Sequence, residues 1–255
     1  MPGDGILANT STPPPENGVG KVAGDAQSFV HVLEQTALNT AVQQPLDALA
    51  QFANKLWHPL TGDTLHVPQV FKPLPEAQFG SSTWAAEMIG MGLGRTADIS
   101  AIALGLRTFG VTRATTNFLT RNLEEHPQLL RYSIPVLNSA LPAGIYGMAL
   151  VPSKSPGTYW KDRLINGGTW ALGGAAAGGV GEYLSSAFRG WKVGQPGDSA
   201  AKLALKQKGS TAISWAAQGA TGFLTKTMMY TALGERSLPL LHSPIPASID
   251  NVGTT

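Results

Sequence analysis

The chain has 255 residues, enough for one large or two small domains, and contains no cysteine, which excludes disulfide bonds, thiolate zinc sites and a cysteine nucleophile. Lys, Arg, Asp and Glu make up 13% of the residues, about half the share of an ordinary soluble domain. The formal net charge of +2 provides no long-range field that would select nucleic acid, so nucleic acid is not an expected partner.

The first 24 residues are rich in Ser, Thr, Pro, Asn and Gly and carry few bulky apolar side chains. Such a segment cannot bury enough apolar surface to offset the entropy lost on ordering, so we predict a disordered tail over residues 1–24. The tail lacks the basic start and apolar core of a secretory signal peptide. Two interpretations remain: an ordinary frayed terminus, or an unfolded export signal read by a bacterial needle-type secretion system.

The next two patterns predict an amphipathic helical hairpin over residues 25–57. Apolar residues follow helical spacing after Asp25, which can cap a helix, and again after Pro45, which suits a first helical position. Prolines at positions 59, 68, 73 and 75 forbid a long helix beyond the hairpin. We therefore predict an extended, Pro-rich connector over residues 58–80.

The remaining sequence predicts a bundle of helices over residues 81–235 and an irregular tail over 236–255. The uncharged stretch 133–153 contains three prolines, so any helix there is broken or kinked. No run of alternating β-branched residues predicts a strand, and the expected fold class is all-α. The other predicted helices of the bundle are 82–109, 114–125, 160–189, 209–234 and a short helix at 198–208, capped by Asp198 or Ser199.

Glycine and alanine recur at four-residue intervals within these helices. Residues 165–181 contain seven glycines, each costing about 0.8–1 kcal/mol relative to alanine inside a helix. A helix with this composition needs close contact with another backbone, or a bilayer, to recover that cost. The predicted helix-packing stripes comprise Gly90 and Gly94; Gly167, Ala171, Ala175 and Gly179; Gly174 and Gly178; and Ala216 and Ala220.

Three of these helices open with a similar Thr/Ser-Trp-Ala pattern. The tryptophans are Trp84, Trp170 and Trp215, and an indole at a helix end suits a polar–apolar boundary, so they are membrane-interface candidates. The uncharged windows that follow are short for a membrane span and diluted by Gly, Ser, Thr and Pro. Basic residues flank the windows on both sides, so the positive-inside rule assigns no orientation.

Isolated charges within the apolar segments are the other candidate site residues: Glu87, Arg95, Asp98 and Glu182. Arg95 and Asp98 are three residues apart on one predicted helix and could form an ion pair. Such groups usually pair across helices or face water, and they can also form a proton-sensitive switch or a polar pathway. No hydrolase or nucleotide-binding motif and no metal-ligand cluster is present, so no catalytic residue, metal or cofactor is assigned.

These observations favour a non-enzymatic protein that engages membrane lipid or partner helices through its small-residue stripes. Joined to the export-like tail, they suggest a secreted bacterial effector or translocator, found outside the cell or at a membrane. A second copy of the chain and a secretion chaperone remain open as partners. The alternatives are an integral channel or translocase-like subunit held by glycine zippers, and an enzyme on an unfamiliar helical scaffold.

Overall fold

A computed structural model of the chain describes residues 18–71, 77–78, 80–153, 156–189 and 198–233. All regular structure in these ranges is helical, which confirms the predicted all-α class and the helical bundle. Most of the two predicted tails lies outside the described ranges, but residues 18–24 belong to the first helix. The elements are α1 (Gly18–Leu38), a π-helical turn (Asn39–Gln43), α2 (Gln44–Thr61), α3 (Ser82–Thr108), α4 (Val111–Asn122), α5 (Pro127–Ala149), a 3-10 turn (Pro156–Thr158), α6 (Tyr159–Ala187) and α7 (Ala200–Ala232).

The hairpin predicted over residues 25–57 is not formed, because the chain does not reverse between α1 and α2. Leu38, Gln43 and Gln44 all keep right-handed helical dihedral angles, and the amide of Gln44 donates to the carbonyl of Asn39, five residues back. Pro45 has no amide hydrogen and its ring crowds the carbonyl four residues earlier. A wider π-helical turn accommodates this residue without ending the helix.

The connector that follows is shorter than the predicted range 58–80, since α2 continues through Pro59 to Thr61. Gly62, with φ of 75°, ends the helix in the left-handed conformation that favours glycine. Two side-chain amides then hold the extended chain against α2. Asn54 bonds both backbone groups of Leu65, at 2.6 and 2.9 Å, and Gln43 accepts from the amide of Val70 at 3.0 Å.

Helices α3, α4 and α5 follow one another through short turns. The hydroxyl of Ser81 caps α3 by accepting from the amide of Trp84 at 3.1 Å. Gly110, with φ of 75°, makes the turn into α4, and α5 begins at Pro127. The sequence predicted that any helix in this region would be broken or kinked. Pro135 and Pro142 both lie inside α5, which is one unbroken helix from Pro127 to Ala149.

The last helix is longer than predicted, because the two helices predicted over 198–208 and 209–234 are one element, Ala200–Ala232. Its start at Ser199 was one of the two predicted caps, and the Ser199 hydroxyl accepts from the amide of Lys202 at 3.3 Å. Gly209 does not break the helix.

Two groups of helices make up the bundle. Helix α6 packs along α5 on one side and along α7 on the other, whereas α1 packs along α3. Contacts of α5 with α3 and, to a smaller extent, with α2 join the two groups, and α4 packs against α3 and α5. In the part of the chain that the structure describes, no helix combines the length and apolar character that a membrane span needs.

Candidate functional site: a charged cluster within a bundle that has an apolar outer face

Helix α3 uses Gly90 and Gly94 to approach the backbone of α1. A Cβ atom added at Gly90 would lie 2.5 Å from the carbonyl oxygen of Leu33, and one added at Gly94 would lie 2.6 Å from that of Ala37. Both distances are far below van der Waals contact, so only glycine fits. Gly92, on the opposite side of the same helix, has open space around it.

Helices α5 and α6 approach each other in the same way. A Cβ atom at Gly174 would lie 2.5 Å from the carbonyl oxygen of Ser139, and one at Gly178 would lie 2.5 Å from that of Pro135. At Gly167 the nearest neighbour is the side chain of Met148, at 3.1 Å. A Cβ at Gly144 would meet that of Ala171 at 3.1 Å. This facing surface of α6 therefore runs along most of α5.

Other members of the predicted stripes do not make close contacts between helices. Gly179 has only an ordinary contact, with Val136, and Ala175 is half-buried. Ala216 and Ala220 are exposed, contrary to the prediction, because α7 presents a different side to α6. The close approach between these two helices is made by Gly173 and Gly222, whose added Cβ atoms would each meet the other's carbonyl oxygen, at 2.9 and 3.2 Å.

Beside its glycine stripe, α3 carries a second stripe that contains three charged residues and one methionine. Glu87, Met91, Arg95 and Asp98 recur at helical spacing, and Glu87 is only 2% exposed. Arg95 and Asp98 do not form the ion pair that their spacing suggested. Arg95 instead reaches the sulfur of Met91, at 3.9 Å, and one Asp98 oxygen is buried without a hydrogen-bond partner in the described part of the chain.

Trp170 of α6 is the centre of this cluster, not the interface residue that the sequence suggested. The Arg95 guanidinium lies 5.5 Å from the centre of its ring, and the Lys226 ammonium of α7 lies 3.9 Å from it. Tyr146 of α5 meets the same ring edge-on, with the two ring centres 4.8 Å apart. Four helices thus contribute to one cation–aromatic cluster.

The cluster is only partly satisfied by hydrogen bonds. Tyr146 is completely buried, yet its hydroxyl has no hydrogen-bond partner among the described residues. The same holds for the indole nitrogen of Trp170 and for Nε of Arg95. A buried polar group without a partner costs about 1–3 kcal/mol, so these atoms offset part of the stability that the cation–aromatic contacts provide.

Burial shifts the ionisation of three groups here. Desolvation raises the pKa of the Asp98 carboxyl to about 6, from an ordinary value of 3.8. Desolvation also lowers the pKa of the Lys226 ammonium far below its usual range, and the nearby Arg95 charge adds to this effect. Burial raises the pKa of the Tyr146 hydroxyl, which Arg95 partly opposes. All three shifts disfavour charge inside the cluster.

The remaining candidates lie outside the cluster. Glu182 pairs with Arg131 at 2.7 Å near the surface, and this partner together with the Ser186 hydroxyl lowers the pKa of Glu182. Trp84 is half-buried at the start of α3, and Trp215 is 68% exposed. The described histidines are exposed, and no group of three or more potential metal ligands occurs within the described ranges.

Arg163 is a buried charged residue that the sequence analysis did not single out. It is 3% exposed and donates to the carbonyl oxygens of Met148, Ala149, Val151 and Ala48 at 2.8–3.0 Å. The first two carbonyls lie at the end of α5, where the helix dipole favours a cation. Arg163 therefore joins α2, α5 and α6, and it acts as a structural clamp.

The outer face of α2 is unusually apolar for an exposed helix. Its large side chains are between 39% and 80% exposed and share one side of the helix. These residues are Leu46, Leu49, Phe52, Leu56, Trp57 and Leu60. We call this surface the α2 apolar face. Contiguous apolar surface of this kind is typical of interaction sites, so the α2 apolar face is a candidate binding surface.

Comparisons with protein-family models, with curated protein sequences and with solved structures found no match to this chain.

Proposed function

We propose that this chain is a non-enzymatic protein that binds a lipid bilayer through the α2 apolar face. The observation that carries the proposal is the exposure of six large apolar side chains on one side of α2, with Trp57 60% and Leu60 80% exposed. The face extends about 21 Å along the helix, from Leu46 to Leu60. An amphipathic helix that lies in a bilayer interface presents such a face to the lipid.

The opposite side of α2 supports the proposal because it is fixed to the rest of the molecule. The carbonyl of Ala48 accepts from Arg163 at 2.8 Å. Gln51 and Ser153 exchange two hydrogen bonds, at 2.8 and 3.4 Å, and Asn54 holds the connector. With its polar side occupied, α2 can offer only its apolar side to a partner.

The composition of the interior supports the same proposal. Among the described residues, the buried positions include Thr36, Thr40, Thr169 and Ser210, and the closest helix contacts are made by glycine. Helices that pack through small residues do not need bulky apolar residues for their contacts. The bulky residues are then free to lie on the outside, where they can meet lipid.

The test is flotation of the full chain with phosphatidylcholine vesicles. The double variant Leu49→Glu/Leu56→Glu places two carboxylates in the centre of the α2 apolar face, and we expect it to lose vesicle binding. Each carboxylate must lose water to enter an apolar contact, and this cost opposes the binding energy that the neighbouring side chains supply.

The matched control is Ser100→Glu/Ser185→Glu, which adds the same charge at exposed positions of α3 and α6. This control should float like the unchanged chain. Circular dichroism of both variants checks that the helices persist. Failure of the unchanged chain to float, or equal flotation of both double variants, would rule out the α2 apolar face as a lipid-binding surface.

The wider role that we propose is that of a secreted bacterial effector or translocator, and it rests on the composition of residues 1–24 joined to the marginal hydrophobicity of the helices. A reporter fused after this segment tests export: its release by a needle-type secretion system supports the role, and its retention contradicts it. Carbonate extraction of membranes separates peripheral binding from the alternative of an integral, glycine-zipper protein. Resistance to extraction would favour the integral alternative.

A further inference from the structure

Helix α7 buries polar side chains and leaves its bulky apolar ones outside. It packs along α6, and the side chains that it buries fully, in the part of the chain that the structure describes, belong to Ser210, Ser214 and Thr227. Its closest approach to α6 is made by Gly222. Because these contacts cover little apolar side-chain surface, the hydrophobic effect in water contributes little to holding α7 on α6.

The bulky apolar side chains of α7 lie on all of its free sides. Successive residues of an α-helix are turned by about 100°, so Ile213 and Trp215 flank the buried Ser214, one on each side. Leu224 and Met228 each come two positions after a residue that faces α6, which turns them to the opposite side of the helix. These four side chains are between 49% and 68% exposed. Apolar side chains therefore occur on both flanks and on the outer side of α7.

The same part of α7 presents no charge to its surroundings. Residues 209–225 contain no Asp, Glu, Lys, Arg or His, and this segment is about 25 Å long. The next residue, Lys226, directs its ammonium inward, to 3.9 Å from the centre of the Trp170 ring. The exposed hydroxyl of Thr211 donates to the carbonyl of Gln207 at 2.9 Å, so this polar group is satisfied within its own helix. This surface therefore needs few hydrogen bonds to water.

We infer that the apolar boundary of the bilayer to which the chain binds covers the free sides of α7. This inference rests on the proposed function and adds a second helix to the lipid contact: the α2 apolar face attaches the chain, and the lipid then covers α7. A partner helix packs against one side of its neighbour and would leave either Ile213 or Trp215 in water. Lipid can cover both flanks and the outer side together. Small and polar contacts inside, with bulky apolar residues outside, are also the pattern of helices that pack within lipid.

The position of α7 relative to α2 fits this order of events. Arg163, which binds the carbonyl of Ala48 in α2, and Trp170, over which Lys226 of α7 lies, are both on α6. The seven residues between them correspond to about 10 Å along the helix. Attachment through α2 therefore brings the last part of α7 close to the lipid.

The experiment places one fluorescent label at a time on the full chain, which has no cysteine of its own. Ile213→Cys, Trp215→Cys and Met228→Cys, each labelled with the environment-sensitive fluorophore NBD, report on the two flanks and the outer side of α7. On addition of phosphatidylcholine vesicles, we expect the emission of all three labels to shift to shorter wavelength and their quenching by iodide to be lost. The matched control, Ser100→Cys at an exposed position of α3, should show neither change. Circular dichroism checks that each labelled chain keeps its helices.

Three outcomes would overturn the inference. They are the absence of a shift at every α7 position in a chain that floats with the vesicles, a shift on only one flank, and an equal shift at Ser100. A shift that appears without vesicles and grows with protein concentration would assign the surface to a second copy of the chain instead. Failure of the unchanged chain to float would contradict the proposed function and this inference with it, whereas flotation without a shift would contradict the role of α7 alone.

Discussion

Arg163 of α6 donates a hydrogen bond of 2.8 Å to the carbonyl of Ala48 in α2, across 115 residues of sequence. The other side of the same guanidinium bonds three carbonyls at and beyond the end of α5. A buried side chain with several fixed acceptors requires the planar, forked geometry of arginine. Together with the Gln51–Ser153 hydrogen bonds, this residue fixes the position of α2 and so the direction in which its apolar face points.

We expect Arg163→Met to lower the free energy of unfolding by about 3 kcal/mol, because four carbonyl groups lose their donor together. Arg163→Lys should restore only part of the loss, since an ammonium cannot reach all four oxygens. Urea unfolding followed by circular dichroism measures both. Lys161→Met, at an exposed position on the same helix, is the control, and a loss of equal size there would contradict the clamp.

Substituting alanine for Gly94 or for Gly92 in α3 should change the stability of the fold in opposite directions. Gly94→Ala should lower the free energy of unfolding by about 2 kcal/mol, because the new methyl group would lie 2.6 Å from the carbonyl oxygen of Ala37 and force α1 away. Gly92→Ala should raise it by about 0.5–1 kcal/mol, since its surroundings are open and alanine favours the helix. Thermal and urea unfolding test the pair. Equal effects at both positions would mean that α1 does not pack on this side of α3.

Asp98 should make the bundle more stable as the pH falls. Its pKa is raised by burial to about 6, so the folded chain binds a proton that the unfolded chain, with a pKa near 3.8, does not. Ionised Asp98 therefore destabilises the fold above pH 6. The cost is complete above about pH 6, decreases as the pH falls from about 6 to 3.8, and is absent below 3.8.

The variant Asp98→Asn removes the titration. We expect it to raise the free energy of unfolding by about 1 kcal/mol in mildly alkaline buffer, a figure reduced from the full shift because the residue retains partial contact with water. The gain should vanish in acid. Urea unfolding across the pH range measures it, with exposed Asp63→Asn as the control. A gain that does not change with pH would mean that the carboxylate does not titrate inside the cluster.

The hydrogen bonds of Asn54 should protect the connector after α2 from proteolysis. Asn54→Ala removes both hydrogen bonds to Leu65, so residues 63–70 should be cut faster by a protease under native conditions. Lys55→Ala, on the next residue, keeps these bonds and is the control. An unchanged cutting rate for Asn54→Ala would show that other contacts hold the segment.

Local sequence signals predicted the helices better than their connections. Ser199, one of the two predicted caps, caps α7, and the helix predicted from residue 82 begins at Ser82. From the sequence we interpreted Pro45 as the first turn of a new helix that follows a reversal of the chain. In the structure, Pro45 follows a π-helical turn and the helix is continuous. Proline limits the hydrogen bonds available at its own position, and it does not decide the direction of the chain beyond it.

The sequence by itself determined the all-α class, since helical spacing, caps and the absence of strand patterns act over a few residues. It also indicated that glycine-rich helices need close neighbours. Only the tertiary structure decided which neighbours they have, placing Gly94 against α1, leaving Ala216 exposed and bringing Arg95, Trp170 and Lys226 together. The reason is physical: a helix offers several faces of similar composition, and the face that packs is chosen by the combined fit of residues far apart in the chain.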